Sequence, residues 1–251
     1  MAKEQSSRGV ESPRARVVIV VPTYNEAKNL PVLVERLFAL DIPSMRVLVV
    51  DDGSPDGTGE VAERLGQELD GRVELIQRGR KMGLGTAYVD GIAHALTQLP
   101  DYIVQMDADM SHPPDRLPAF LEALEDADVV VGSRYVSGGG SEDSWGIRRR
   151  ALSLISNEGI RLAAGVKVKD ATSGFKAFRS EALAKVDFTR FRCSGFGFQV
   201  EMIKACESRG FRVAELPIIF GHRASGKSKM SIAIALEALW RLPGLRFGKA
   251  P

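Results

Sequence analysis

The chain has 251 residues, 44% hydrophobic and 26% charged, with a net charge of +2 at neutral pH. That is the composition of an ordinary globular protein, long enough for one large domain or a domain with an appendage. Two widely separated cysteines, Cys193 and Cys206, exclude a disulfide framework and a four-cysteine zinc site, and no apolar run approaches the ~20 residues that span a bilayer.

The polar, mixed-charge segment 1–15 has no apolar stretch of the secretory kind and reads as a disordered lead-in. Val17–Val21 is a β-branched run ended by Pro22. Apolar residues at helical spacing (Leu30, Leu33, Val34, Leu37, Phe38) predict a helix over 26–40 with Asn25 as its N-cap. Residues 46–50 form the next strand, 57–69 a helix, 73–77 a strand and 85–99 a helix. Tyr102–Met106 and Asp128–Gly132 are further strands, with a helix over 114–124 between them. Alternation of this kind predicts an α/β domain with a mostly parallel, doubly wound central sheet flanked by helices.

Such sheets bind ligands beyond the carboxyl ends of their strands. Four polar clusters fall there: Thr23-Tyr24-Asn25-Glu26, Asp51-Asp52-Gly53-Ser54, Asp107-Ala108-Asp109 and Ser133-Arg134-Tyr135. The third ends an apolar strand in two carboxylates two residues apart. Alternating faces let Asp107 and Asp109 converge while Ala108 points away. Two hard oxygen ligands suit a Mg²⁺ or Mn²⁺ ion that also grips a diphosphate.

Beyond the glycine-rich segment 138–144 the character changes. Residues 1–140 hold 14 Lys and Arg against 22 Asp and Glu, whereas 141–251 hold 20 against 10. A basic half suggests an anionic partner: a phosphorylated substrate, an acidic membrane surface or, last, nucleic acid, for which no signature is present. Arg148-Arg149-Arg150 beside Trp145 precedes an amphipathic stretch over 145–164, and 232–242 carries Trp240 near a basic end. Each reads as a segment lying at a membrane surface or as a core-packed helix with a solvated charged face. Strands over 173–179 and 212–220, with a helix over 196–209, complete the reading.

These clusters, taken together, resemble the GT-A fold (Rossmann-like) glycosyltransferases of family 2, and more narrowly the dolichol-phosphate and polyprenol-phosphate mannose synthases. The matching residues are 21–26 (VPTYNE), 50–58 (VDDGSPDGT), 83–87 (GLGTA), 106–113 (MDADMSHP), 132–135 (GSRY) and 223–229 (RASGKSK), within roughly 16–235. The resemblance implies a catalytic domain over 16–230 and an amphipathic tail over 231–251.

It also implies roles for single residues. Pro22, Tyr24 and Glu26 would line the nucleotide pocket, with Lys81, Gly83 and Ala108 beside it. Val50 with Asp51 or Asp52 would recognise the base and ribose. Asp107 and Asp109 would hold Mg²⁺ or Mn²⁺ on the diphosphate. Ser111, shorter than the Gln some relatives carry there, would coordinate directly or through a water. Arg134, Arg149, Arg223 and Lys229 would neutralise the phosphates of donor and acceptor, since a guanidinium fork suits phosphate. The implied reaction is inverting, metal-dependent transfer of mannose from GDP-mannose to a polyprenyl monophosphate, with a UDP-sugar glucosyl transfer as the alternative. The implied setting is the cytosolic face of a membrane, peripherally or through a membrane-anchoring partner, with no nucleic acid.

One motif points elsewhere. Gly221–Ser228 fits the G-x-x-x-x-G-K-[ST] phosphate loop of nucleotide hydrolases. Too little chain follows it to build that fold, and it accounts for none of the other clusters. The G-x-G start at Gly83 is no dinucleotide fingerprint, because Tyr88 occupies its last glycine, and a non-catalytic lipid-binding module would leave the paired aspartates without a purpose. The two lysines of the 221–229 motif separate transfer from hydrolysis: Lys229→Ala is expected to damage turnover more than Lys227→Ala in a sugar-transfer assay, and a nucleotide hydrolase would reverse that order.

Overall fold

The computed structural model describes residues 15–142, 146–193, 195 and 197–221, apart from the side chains of Ile147 and Arg149. Chain order begins β1 (Val17–Thr23), α1 (Asn29–Phe38), β2 (Met45–Asp51), α2 (Thr58–Glu68), β3 (Val73–Gln77), α3 (Leu84–Thr97) and β4 (Tyr102–Gln105). A 3₁₀ turn at Pro114–Arg116 leads into α4 (Leu117–Ala123), then β5 (Val129–Ser133), β6 (Gly140–Ser141) and α5 (Ile147–Ala164). The last elements are β7 (Lys176–Arg179), α6 (Ser180–Leu183), a 3₁₀ turn at Phe188–Arg190, α7 (Gly197–Ser208), β8 (Val213–Pro217) and β9 (Ile219–Phe220).

Seven strands form one sheet in the order β3-β2-β1-β4-β7-β5-β8, and β6 pairs with β9 in a small second sheet. β7 runs antiparallel to both its neighbours, and every other pairing in the large sheet is parallel. Near-continuous valine runs in β1, β2 and β5 follow from burial on both faces. Ile19, Val47, Val104 and Ala177 face a core closed by α1 and α4, and Val20, Leu48, Ile103 and Phe178 face the opposite core under α3 and α7. The strand order reverses between β1 and β4, so the crevice at their carboxyl ends is the switch point where a parallel sheet takes a ligand.

The start of α1 departs from expectation. The helix begins at Asn29, with Lys28 in the capping position, and Asn25 adopts a left-handed backbone (φ 59°). The cause is tertiary: backbone N–H groups of Asn25, Glu26 and Ala27 donate to Ser54 Oγ, Thr58 Oγ1 and Asp56 Oδ2, pulling 25–27 off the helix axis onto the next loop. Asn is among the few residues that tolerate this conformation at low cost.

Candidate active site

Three rim loops are stitched into one surface by buried carboxylates. Asp51, at the end of β2, accepts from Thr23 Oγ1 (2.8 Å), Ser54 N (2.8 Å), Ser54 Oγ (2.5 Å) and Gln77 Nε2 (3.1 Å). Asp52 Oδ2 accepts from the backbone N–H groups of Met82 (3.1 Å) and Gly83 (2.9 Å), and Oδ1 lies 2.9 Å from Arg78 Nη1. Arg78, buried, also reaches Thr86 Oγ1 (2.7 Å) and Asp90 (3.4 Å). Gly83 sits at φ 105°, where a side chain would strain the turn that presents both amides to Asp52.

The residues expected to line a nucleotide pocket are thus brought together. Pro22 and Tyr24 are half-buried at the end of β1, Glu26 and Val50 are buried, and the exposed Lys81 ammonium lies 4.0 Å above the Tyr24 ring. Both acids of the Asp51-Asp52 pair are held by protein partners in a ready-made wall. Arg78 was not singled out in the sequence; its signal is an arginine between a strand and a glycine-rich turn, which also describes many surface arginines.

The Asp107–Asp109 pair follows β4 directly. Asp107 keeps a quarter of its side chain exposed, Ala108 is buried, and Asp109 is buried beneath the rim. Tyr88 Oη donates to Asp107 Oδ1 (3.2 Å) from inside the core, and its own pKa is raised well above the ordinary phenol value by burial and then by the Asp107 charge. The tyrosine that spoils a dinucleotide motif therefore orients a carboxylate. Ser111 donates its N–H (3.1 Å) and hydroxyl (2.6 Å) to Asp109 Oδ1, which fixes that side chain. His112 Nδ1 accepts from the Asp107 N–H (3.0 Å) and its ring stacks on Phe175. Burial lowers its pKa despite both aspartates, so a neutral imidazole buttresses the turn. Gly174 lies behind, where a Cβ would come 3.1 Å from the His112 ring and 3.5 Å from Asp107 Oδ1.

Two carboxylates lie at this turn with the His112 ring behind them, and among the described residues no cluster of three or more His, Cys, Asp or Glu has metal-binding geometry. Two carboxylates alone suit Mg²⁺ or Mn²⁺, which keeps water and takes phosphate oxygens for its other positions.

Arg134 lies at the end of β5 and is not free to act as a simple cation. Its Nε and Nη2 grip Asp170 Oδ2 and Oδ1 (both 2.8 Å), Nη2 also reaches Thr172 Oγ1 (2.8 Å), and its backbone N–H donates to Asp170 Oδ2 (3.0 Å). Burial works to lower its pKa, and the Asp170 bonds and charge outweigh that, leaving it raised. The guanidinium sits 5.3 Å from the Phe220 ring centroid, and that ring packs edge-on to His112 at 5.7 Å. Asp170 escaped the sequence reading because nothing local marks its partner 36 residues away. Its own turn is held by Glu215, which accepts from the N–H groups of Lys169 (2.7 Å) and Asp170 (3.0 Å).

Arg149's side chain, Arg223, Lys229, the 222–229 part of the basic motif, and the segments 1–14 and 232–242 lie outside the described residues. The chain reaches that motif through Gly221, whose N–H donates to Ser111 O (3.0 Å). Cys193 and Cys206 are buried, and burial pushes the Cys206 thiol up to about 12, so it is inert packing.

Comparison with known proteins gives a consistent result. The glycosyl transferase family 2 profile matches residues 18–187. A polyprenol monophosphomannose synthase of Mycolicibacterium smegmatis is 41% identical over 231 residues, 92% of this chain and 86% of that protein. An undecaprenyl-phosphate mannosyltransferase of Micrococcus luteus is 42% identical over 224 residues, 89% of this chain and 91% of that protein. Among solved structures, a glucosyl-3-phosphoglycerate synthase from Mycobacterium tuberculosis aligns with a TM-score of 0.67 at 18% identity, covering 93% of this chain and 80% of that one. A mannosyltransferase from Pyrobaculum calidifontis, solved with GDP-mannose and Mn²⁺, aligns with a TM-score of 0.63 at 20% identity, covering 96% of this chain and 67% of that one. The chain belongs to glycosyl transferase family 2.

Proposed function

We propose that the protein transfers mannose from GDP-mannose to a polyprenyl monophosphate, with inversion at the sugar, giving a β-linked mannosyl phosphate. The observation that carries this reading is the Asp107–Asp109 pair at the switch point, beside a pre-built nucleotide wall. Relatives named as mannosyltransferases at 41–42% identity support the choice of sugar and acceptor.

Pro22, Tyr24, Glu26, Val50 and the Asp51–Asp52 wall would hold the nucleoside, with Lys81 and Gly83 closing one side. Asp107 and Asp109, oriented by Tyr88 and Ser111, would hold a Mg²⁺ or Mn²⁺ ion on the diphosphate. That ion, when bound, supplies electrostatic neutralisation of the leaving GDP. A phosphate monoester oxygen is already ionised at neutral pH, so the acceptor needs no general base, and among these residues none is asked to be one. Their task is to hold two anions close together in line. Because Asp170 cancels the charge of Arg134, Arg134 offers directed N–H donors, and net positive charge must come from Lys81, Arg149, Arg223 and Lys229. The bond from Gly221 to Ser111 holds Gly221, the last described residue before the basic motif, beside the Asp107–Asp109 turn.

Helix α5 supports docking at a lipid surface. Its inward side carries Ser153, bonded to Tyr135 (2.7 Å), and buried Asn157, bonded to Lys169 O (2.5 Å) and Ala171 N (3.1 Å). Its outward side exposes Leu152, Ile155 and Leu162, each more than 60%, beside exposed Arg148 and Arg150. An apolar stripe turned to solvent with basic residues at its start is the pattern of an interfacial helix. Among the described residues no helix is long and apolar enough to cross a membrane. We place the protein at the cytosolic face, held peripherally or by an anchoring partner.

The test is a panel of GDP- and UDP-sugars with a short-chain polyprenyl phosphate. GDP-mannose should be turned over, EDTA should lower the rate at least ~10²-fold, and Mn²⁺ or Mg²⁺ should restore it. Activity with a UDP-sugar alone would replace mannosyl by glucosyl transfer.

A further inference from the structure

A lysine lies where a core residue belongs. Lys176 opens β7 and is fully buried between the sheet and α7, with no carboxylate within ion-pair distance among the described residues. Its ammonium donates to the Ser173 carbonyl and to Gln199 Oε1 on α7 (2.5 Å). Desolvation lowers its pKa to about 7, against the raising influence of Asp170, Cys206 and Asp107. Gln105 is its register partner across β4 and β7 and is also fully buried; neither its amide oxygen nor its nitrogen has a hydrogen-bond partner among the described residues. A Met or Leu pair would fill this space without desolvating a cation or leaving an amide unpaired. Stability therefore does not explain the choice.

What Lys176 touches does explain it. The Ser173 carbonyl belongs to the turn 170–175, and that turn serves the site at two places. At one end Asp170 and Thr172 hold the Arg134 fork. At the other Gly174 packs against His112 and Asp107. The ammonium ties the middle of the turn to α7 from below, on the side away from solvent.

We infer that Lys176 is a positioning residue for transfer, clamping the 170–175 turn so that the Arg134 fork and the wall behind Asp107 keep a fixed separation. The inference rests on the transferase reading for its catalytic consequence, though not for the clamp itself.

The experiment compares the full chain with Lys176→Met and Gln199→Met, the second removing only the helix end of the tie. Thermal melting, hydrogen exchange over 171–177, and kcat and KM for GDP-mannose with Mn²⁺ are measured for each. Lys176→Met should melt cooperatively, exchange at least about tenfold faster in that peptide with little change in β1 and β2, and lose kcat by about tenfold or more with a smaller change in KM. Gln199→Met should move in the same direction by a smaller factor, and it carries the test should Lys176→Met fail to fold. Unchanged exchange in a folded variant overturns the clamp. Faster exchange with unchanged kcat overturns its role in positioning. If the unmodified protein turns over no GDP- or UDP-sugar, the transferase reading fails and takes the catalytic role with it, while exchange still decides whether the clamp exists.

Discussion

Asp109→Ala is expected to lower transfer from GDP-mannose by about 10²–10³-fold, some 3–4 kcal/mol of transition-state stabilisation. Asp107 and Asp109 are the carboxylates at the switch point, and on the proposed reading removing Asp109 would take half of the protein's share of a divalent site. The effect must be separated from damage to the turn, because Asp109 Oδ1 accepts from both the N–H and the hydroxyl of Ser111, and orphaning those buried donors costs about 1–3 kcal/mol. Asp109→Asn keeps an acceptor of the same shape and removes the charge. It should melt near the unmodified protein and still lose transfer and the Mn²⁺ dependence of GDP binding, read by calorimetric titration. Unchanged turnover in both variants would remove the metal role from this pair.

Asp170→Ala should be the most destabilising of the single changes near the site. The carboxylate is fully buried and takes three bonds from Arg134, one from its backbone and two from its guanidinium. Deleting it strands a buried cation, a loss of about 3–5 kcal/mol. At ~2–4 °C per kcal/mol for a domain of this size, the melting temperature should drop by roughly 10 °C. Removing both partners, as Arg134→Met with Asp170→Leu, leaves no stranded charge and should recover most of that stability without recovering transfer. A loss below about 1 kcal/mol in Asp170→Ala would mean that the fork contributes little.

The pairing also explains why local sequence reveals only half of the surroundings of Arg134. Its place at a strand end was legible from the strand pattern, as were the four rim clusters and the alternation that sets a parallel sheet. Its partner was not, since Asp170 sits 36 residues on in a turn with no periodicity. The same holds for Tyr88, whose hydroxyl reaches Asp107 across the core, and for Lys176, which composition would assign to the surface. Local pattern reveals which face of an element is buried; it does not reveal which buried polar groups meet. The early start expected for α1 failed for a related reason. Asn25 as an N-cap would start the helix at residue 26, and bonds to the neighbouring loop override it. A strand over 173–179 was expected, but not its direction, because hydrophobicity carries no sign.

That direction bears on how the molecule is made. β5 pairs with β7 and β8, and β4 pairs with β1 and β7, so β4 and β5 never bond each other. A nascent chain leaving the ribosome can zip up β1 to β4 as soon as they emerge. β5 must wait with both its edges open until about residue 179 arrives to bridge the gap. The aspartate half and the arginine half of the cleft are therefore welded together late in synthesis, and a chain truncated ahead of β7 should be a client for chaperones rather than a slow enzyme.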